Sequence, residues 1–253
     1  MFSPGSTPGT SDDRAAIGEA IDDGTDLTID LRQDEAAIAA KLMAVTRLRD
    51  PNLADHAQRT ADIAVAVAVE LDLDAADVDR VHLGAQLHDI GKLGVAEAIL
   101  WKPAGLSRSE WREVRTHPEE GHRLVADVVH RDVASAVLYH HERIDGDGYP
   151  FGIDGRTLPI AVRIVQVADA FDAMTSERPY ERALPTTIAV AEIGRCAGSQ
   201  FDPDVADALA RVFEGREDRF PPIERPRILP DDHDAPPGTG GADPFDLRLD
   251  RSA

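Results

Sequence analysis

Residues 75–91, AADVDRVHLGAQLHDIG, decide the fold class. Val78, Val81, Ala85 and the Leu87-His88 pair recur at three- and four-residue spacing, so they share one side of an α-helix. An apolar stripe thus runs directly into His88-Asp89, and Gly91 reads as the C-terminal stop of that helix. The same period continues outward. Residues 35–49 line up Ile38, Leu42, Val45 and Leu48, Pro51 ends that helix, and residues 52–72 form an Ala/Val-rich one. Ser107 with Glu110 three positions later predicts a capping box opening a helix through Trp111. Pro118 followed by Glu119 and Glu120 marks another helix start. Further helices are expected at 119–130, 132–140, 159–175, 186–195 and 203–214, and strand alternation is nearly absent. The fold class is all-α.

Composition bounds the rest. The 253 residues are 42% hydrophobic and 29% charged, ordinary for a soluble chain with a core. One cysteine, Cys196, excludes a disulfide framework and a cysteine-based zinc site. The longest apolar run, Ile63 to Val69, falls far short of the roughly 20 residues that span a bilayer. The N-terminus, MFSPGSTPGTSDDR, lacks the basic start and apolar run of a secretory signal, so a cytoplasmic, membrane-free protein is expected. A net charge of −20 repels polymeric nucleic acid, whose binding draws on Lys and Arg contacts to phosphates. Any phosphate handled here needs local cations, either metal ions or a few placed basic side chains.

Three segments are expected. Residues 1–37 hold 9 acidic and 2 basic groups and read as partly disordered, with a short helix near Ala15–Ile21. Residues 219–253 form a Pro/Gly-rich disordered tail; from Pro221 onward lie 7 of the 17 prolines. Residues 38–218 remain as one domain.

Eight of the nine histidines lie between positions 56 and 141. Imidazole mixed with carboxylate, without thiolate, suits Mn, Fe, Ni or Zn in a catalytic site. His88-Asp89 ends an apolar helix, and a carboxylate there can bridge two ions while the imidazole binds one. Lys92, one turn on, can set an ammonium beside a phosphate held by those ions. His140-His141 ends a second helix and leads into Glu142-Arg-Ile-Asp-Gly-Asp-Gly-Tyr-Pro150, a tight loop. His117 stands at a helix start, His56 one turn into a helix, and Asp169 beside the apolar residues Ile164, Val167, Ala168 and Phe171. Alone, His88-Asp89 is equally a capping pair, and His140-His141 an ordinary surface pair. His82, His122 and His130 read as surface or hydrogen-bonded residues. Two adjacent pairs plus an aspartate on a core helix point together to a metal site.

The chain resembles the HD-GYP family of HD-domain phosphohydrolases. The resemblance rests on Leu87-His-Asp-Ile-Gly-Lys92, Ile99-Leu-Trp-Lys-Pro103, His117-Pro118 with Gly121, and His140-His-Glu-x-x-Asp-Gly-x-Gly-Tyr-Pro150. Ala168-Asp-Ala-Phe-Asp-Ala-Met-Thr-Ser176, Arg178-Pro-Tyr180 and Gln200-Phe-Asp-Pro203 complete it. It implies an HD-domain-like helical bundle with the Gly-rich loop beside the metals, and hydrolysis of cyclic di-GMP to pGpG or GMP. It also implies metal ligands at His56, His88, Asp89, His117, His140, His141 and Asp169, with Asp89 bridging. Asp89 and Lys92 become the catalytic pair, and Lys92, Tyr149 and Arg178 the substrate contacts. Asn52 replaces a glutamate carried by three-metal members, so two divalent ions are expected, Fe or Mn ahead of Ni or Zn. Glu181 replaces a usually basic residue, which bears on substrate affinity.

In this reading a hydroxide bridging two ions attacks phosphorus in line. The rival is a non-catalytic regulatory module that binds the nucleotide or a protein partner; a third reading is a hydrolase of other nucleotides. Residues 1–37 are too few for a sensory domain, so regulation is expected through a protein partner or substrate level.

Overall fold

Short polar side chains set where the helices begin. Asp50 accepts from the Leu53 amide at 3.0 Å and Asp74 from the Asp77 amide at 2.9 Å, satisfying donors that a helix start leaves open. Ser107 and Glu110 form the expected reciprocal box, Glu110 Oε2 accepting from the Ser107 amide at 2.7 Å. The computed structural model describes residues 31–102, 104–177 and 183–214. The expected helix near Ala15, the substrate contact Arg178, Glu181 and the Pro-rich tail lie outside them. The chain divides in sequence into Met1–Asp34 and Glu35–Ala253, and every contact below lies within the second unit.

Ten α-helices are present among the described residues: α1 (Leu31–Arg49), α2 (Pro51–Glu70), α3 (Ala75–Leu87), α4 (Glu97–Leu100) and α5 (Arg108–Val114), then α6 (His117–Val125), α7 (Arg131–Tyr139), α8 (Ile160–Thr175), α9 (Thr186–Arg195) and α10 (Pro203–Phe213). Two 3-10 turns, Ile90–Gly94 and Gly155–Thr157, punctuate them. The β-pairing among these residues is limited to isolated bridges, Arg143 with Asp154 and Ala197 with Phe201. No helix among the described residues is long and apolar enough to cross a membrane.

α8, IAVRIVQVADAFDAMT, is apolar nearly all round and is therefore buried. It forms one core with α2, α9 and α10 through Ile164, Val167, Val67, Ile193 and Leu209. A second core joins α1, α3, α6 and α7 through Ala39, Leu87, Val125 and Val137. α3 serves both: Val81 and Ala85 belong to the first core, Leu83 and Leu87 to the second. His88-Asp89, at the end of this shared wall, consequently emerges between the two cores.

Two expectations are corrected. The 35–49 stripe is only half used: Ile38 and Leu42 are half-buried, whereas Val45 and Leu48 are 53% and 89% exposed, and the fully buried positions are Ala39 and Thr46. α3 ends at Leu87 rather than at Gly91, and the chain passes through a 3-10 turn. Gly91 is there for close approach, since a Cβ on it would lie 2.0 Å from the His117 carbonyl oxygen and 2.5 Å from the Gly121 nitrogen. This contact seats the turn after Asp89 on the N-terminus of α6.

Candidate metal centre

His88 caps the C-terminus of α3 and is buried; its Nδ1 donates to the Ala85 carbonyl at 2.7 Å. The same device recurs twice. His117 Nδ1 donates to Val114 O at 2.7 Å, and His140 Nδ1 to Val137 O at 2.9 Å. Each bond to a carbonyl three residues back fixes the ring and leaves Nε2 as the lone-pair nitrogen. His56, on the second turn of α2, is oriented by a carboxylate instead: Asp172 Oδ2 accepts from its Nδ1 at 2.7 Å. In the 3-10 turn, positions i and i+3 align, and Lys92 Nζ donates to Asp89 Oδ2 at 2.6 Å.

All seven expected ligands converge, in two groups. Asp89, His117, His140 and His141 offer donor atoms that lie within 4.8 Å of one another, as do those of His56, His88 and Asp169. Asp89 joins the groups. Its Oδ1 lies 3.2 Å from His117 Nε2 and 3.7 Å from His140 Nε2, while Oδ2 lies 3.3 Å from His88 Nε2 and 3.7 Å from His56 Nε2. Asp169 Oδ1 lies 3.2 Å from His56 Nε2 and 3.8 Å from His88 Nε2. His82, His122 and His130 belong to neither group; His130 caps α7 by accepting from the Asp132 amide.

The residues fit divalent cations. His88 Nε2, Asp89 Oδ1 and Asp169 Oδ1 are buried without a hydrogen-bond partner, a costly state that a cation between them relieves. The electrostatics match at His117, His140 and His141, whereas His56 must give up a proton to bind an ion. Burial, reinforced by neighbouring imidazoles, pushes His140 down to about 4 and His141 well below the usual imidazole range. Burial also lowers His117, so these rings are neutral, as ligation requires. Burial raises the Asp89 carboxyl, but Lys92, His88, His117 and His140 outweigh it and hold it well below the usual carboxylate range. For His56, burial is outweighed by Asp169 and Asp172, which lift it to about 9.

The sequence left several supporting residues without a role. Asp172 stands between His56 and Arg59, whose Nε donates to its Oδ1 at 2.6 Å. Its signal was a second carboxylate three residues after Asp169 on an otherwise apolar helix. Glu142 is buried and its two oxygens accept from the Phe151 and Ile153 amides at 2.8 and 3.1 Å, tying the 142–153 loop together. Gln166 donates to the Tyr139 and Glu142 carbonyls at 3.1 and 2.8 Å and anchors that loop on α8. Gly148 packs on its own chain: a Cβ there would meet Glu142 Cα at 2.4 Å, so only glycine lets the loop close this tightly. Tyr149 stacks on His141, with centroids 4.6 Å apart and planes at 19°. Burial pushes its phenol well above 10.

Residues 38–205 match the HD domain family. The cyclic di-GMP phosphodiesterase response regulator RpfG of Xanthomonas campestris pv. campestris is 35% identical over 185 residues, 72% of this chain and 49% of its own. The 3'3'-cGAMP-specific phosphodiesterase 3 of Vibrio cholerae is 34% identical over 191 residues, 74% of this chain and 42% of its own. This chain therefore spans about half the length of RpfG and less of the other. Among solved structures, the HDG"Y"P protein Bd1817 of Bdellovibrio bacteriovorus shares the fold, with a TM-score of 0.54 at 19% identity over 73% of this chain and 62% of that one. The chain belongs to the HD-domain family, and His88-Asp89 with Gly148-Tyr149-Pro150 places it in the HD-GYP branch.

Proposed function

We propose that residues 38–218 form a metal-dependent phosphodiesterase that hydrolyses cyclic di-GMP to pGpG, GMP or both. The observation that carries this is Asp89, one carboxylate facing two separate sets of imidazole donors. The HD-domain match and the phosphodiesterase names of the relatives support it. His56, His88 and Asp169 would hold one divalent ion, His117, His140 and His141 the other, with Asp89 shared. An imidazole and carboxylate set favours Fe or Mn, with Ni or Zn as alternatives. When bound, such a pair supplies Lewis-acid polarisation of a phosphoryl oxygen and acidifies water toward neutral pKa.

The chain's own residues do the rest. The carbonyl-anchored imidazoles present preset lone pairs, so little reorganisation accompanies binding. Lys92 keeps Asp89 ionised and adds a fixed positive charge where the phosphoryl oxygens become more negative. Tyr149 packs on His141 and walls the site at the loop. These cations account for an anion bound by a chain of net charge −20. The overall reaction consumes one water for each P–O bond broken. Anaerobic purification with elemental analysis, followed by product identification from cyclic di-GMP, tests the reading. Metal with pGpG or GMP supports it; metal with unaltered cyclic di-GMP overturns it in favour of a binding module.

A further inference from the structure

Arg115 caps the C-terminus of α5 two residues before His117. Its guanidinium lies over the Tyr149 ring, 4.9 Å from the centroid, and 6.0 Å from the centroid of Trp111. Tyr149 in turn stacks on His141. An exposed arginine held in place by an aromatic face is a preorganised cation, with less side-chain freedom to lose when an anion arrives. Among the described residues Arg115 has no carboxylate within ion-pair distance, whereas Arg47, Arg59, Arg80, Arg123, Arg143, Arg156, Arg163, Arg195 and Arg211 each have one. Arg108 and Arg112 on the same helix also lack one in the described residues; what sets Arg115 apart is its place over Tyr149, the ring that stacks on His141.

We propose that Arg115 is a substrate-binding residue that holds the second phosphate of a cyclic dinucleotide. The proposal rests on the phosphodiesterase reading above. A cyclic dinucleotide carries two phosphodiesters, and the paired cations neutralise only the one being cut. Arg115 stands one aromatic ring beyond His141, outside the ligand set but beside it, which suits the other phosphate. A planar guanidinium binds two phosphoryl oxygens at once while its face stays on Tyr149. A diester with a single phosphate has nothing for this residue to hold, so Arg115 discriminates dinucleotides from smaller diesters.

The test compares Arg115→Ala and Arg115→Lys with wild type and with Arg108→Ala, an exposed α5 arginine that controls for net charge. KM and kcat are measured for cyclic di-GMP and for bis(4-nitrophenyl) phosphate, alongside metal content and melting temperature. Arg115→Ala is expected to raise KM for cyclic di-GMP about 10-fold, the loss of one charge-assisted contact, with kcat within about 2-fold. KM for the single-phosphate diester shifts less than about 2-fold, Arg115→Lys falls between wild type and Ala, and metal content is unchanged. An unchanged KM for cyclic di-GMP, an equal shift for both substrates, or the same shift in Arg108→Ala overturns the proposal. Wild-type protein that binds metal and cleaves bis(4-nitrophenyl) phosphate but not cyclic di-GMP overturns the parent reading, and this one with it. Normal wild-type turnover with an unaffected Arg115→Ala overturns this one alone.

Discussion

Asp172 Oδ2 lies 2.7 Å from His56 Nδ1, and Arg59 grips the same carboxylate through Nε at 2.6 Å and Nη2 at 3.0 Å. The pair ties α2 to α8 and turns His56 Nε2 toward Asp169. A carboxylate behind a ligating imidazole fixes its orientation and raises its basicity. Asp172→Asn keeps the shape and removes the charge. Metal affinity is expected to fall about 10- to 100-fold, measured by competition with a calibrated chelator. Unchanged affinity would separate Asp172 from the metal centre.

Lys92 and Asp89 are both buried and bonded at 2.6 Å. Lys92→Ala strands a buried carboxylate, which costs about 3–5 kcal/mol in the metal-free protein. Bound cations replace the lost ammonium, so the deficit shrinks on loading. Denaturant melts with and without metal are expected to differ in that sense, with metal content retained. Turnover of cyclic di-GMP is expected to fall about 100-fold through loss of charge stabilisation. Equal destabilisation in both forms would contradict this coupling.

The metal-free protein has a signed pH dependence. His140 is held at about 4 against an ordinary 6.5, and His117 and His141 are lowered in the same sense. Between pH 6.5 and about 4 the unfolded chain binds protons that the folded chain refuses, so stability falls as pH falls. His56 runs the other way. Raised to about 9, it contributes stability that is complete below 6.5 and lost as pH rises through 9. Melting temperature without metal is therefore expected to peak near neutrality and decline on both sides. A flat profile from pH 5 to 9 would contradict the buried, neutral assignment of His117, His140 and His141.

Gly91→Ala inserts a methyl group where a Cβ meets the His117 carbonyl oxygen at 2.0 Å. Backbone cannot move aside as a flexible side chain would, so the 3-10 turn must lift from α6. The expected cost is about 1–3 kcal/mol or more, with metal lost as Asp89 and His117 separate. Denaturant melts and elemental analysis check both effects.

The helices were legible because their signals are local: the period around Val81 and Leu87, the Ser107–Glu110 box and the Pro118 start each need a few residues. The convergence of the seven candidate side chains was legible partly from residue type and largely through family likeness, since no spacing in the chain dictates that His56 and Asp169 meet. The end of α3 is not legible in the sequence because a glycine at a helix terminus looks the same whether it supplies a left-handed turn or makes room for another backbone. Gly91 does the second. Val45 and Leu48 continue the α1 period yet face outward, because periodicity marks a face without saying how far along it a neighbour extends. Asp172, Glu142 and Arg115 act through partners 116, 9 to 11 and 34 positions away, which one-dimensional patterns do not reveal.

On the proposed function, Asp89 is the carboxylate shared by two ions, one in each imidazole set. Elemental analysis of the anaerobically purified 253-residue chain and of its Asp89→Ala variant separates a shared carboxylate from two independent sites. About two divalent ions per wild-type chain are expected, with both lost in the variant and the helical content retained. Two ions still bound in Asp89→Ala, or wild-type protein that takes up none, would contradict the sharing.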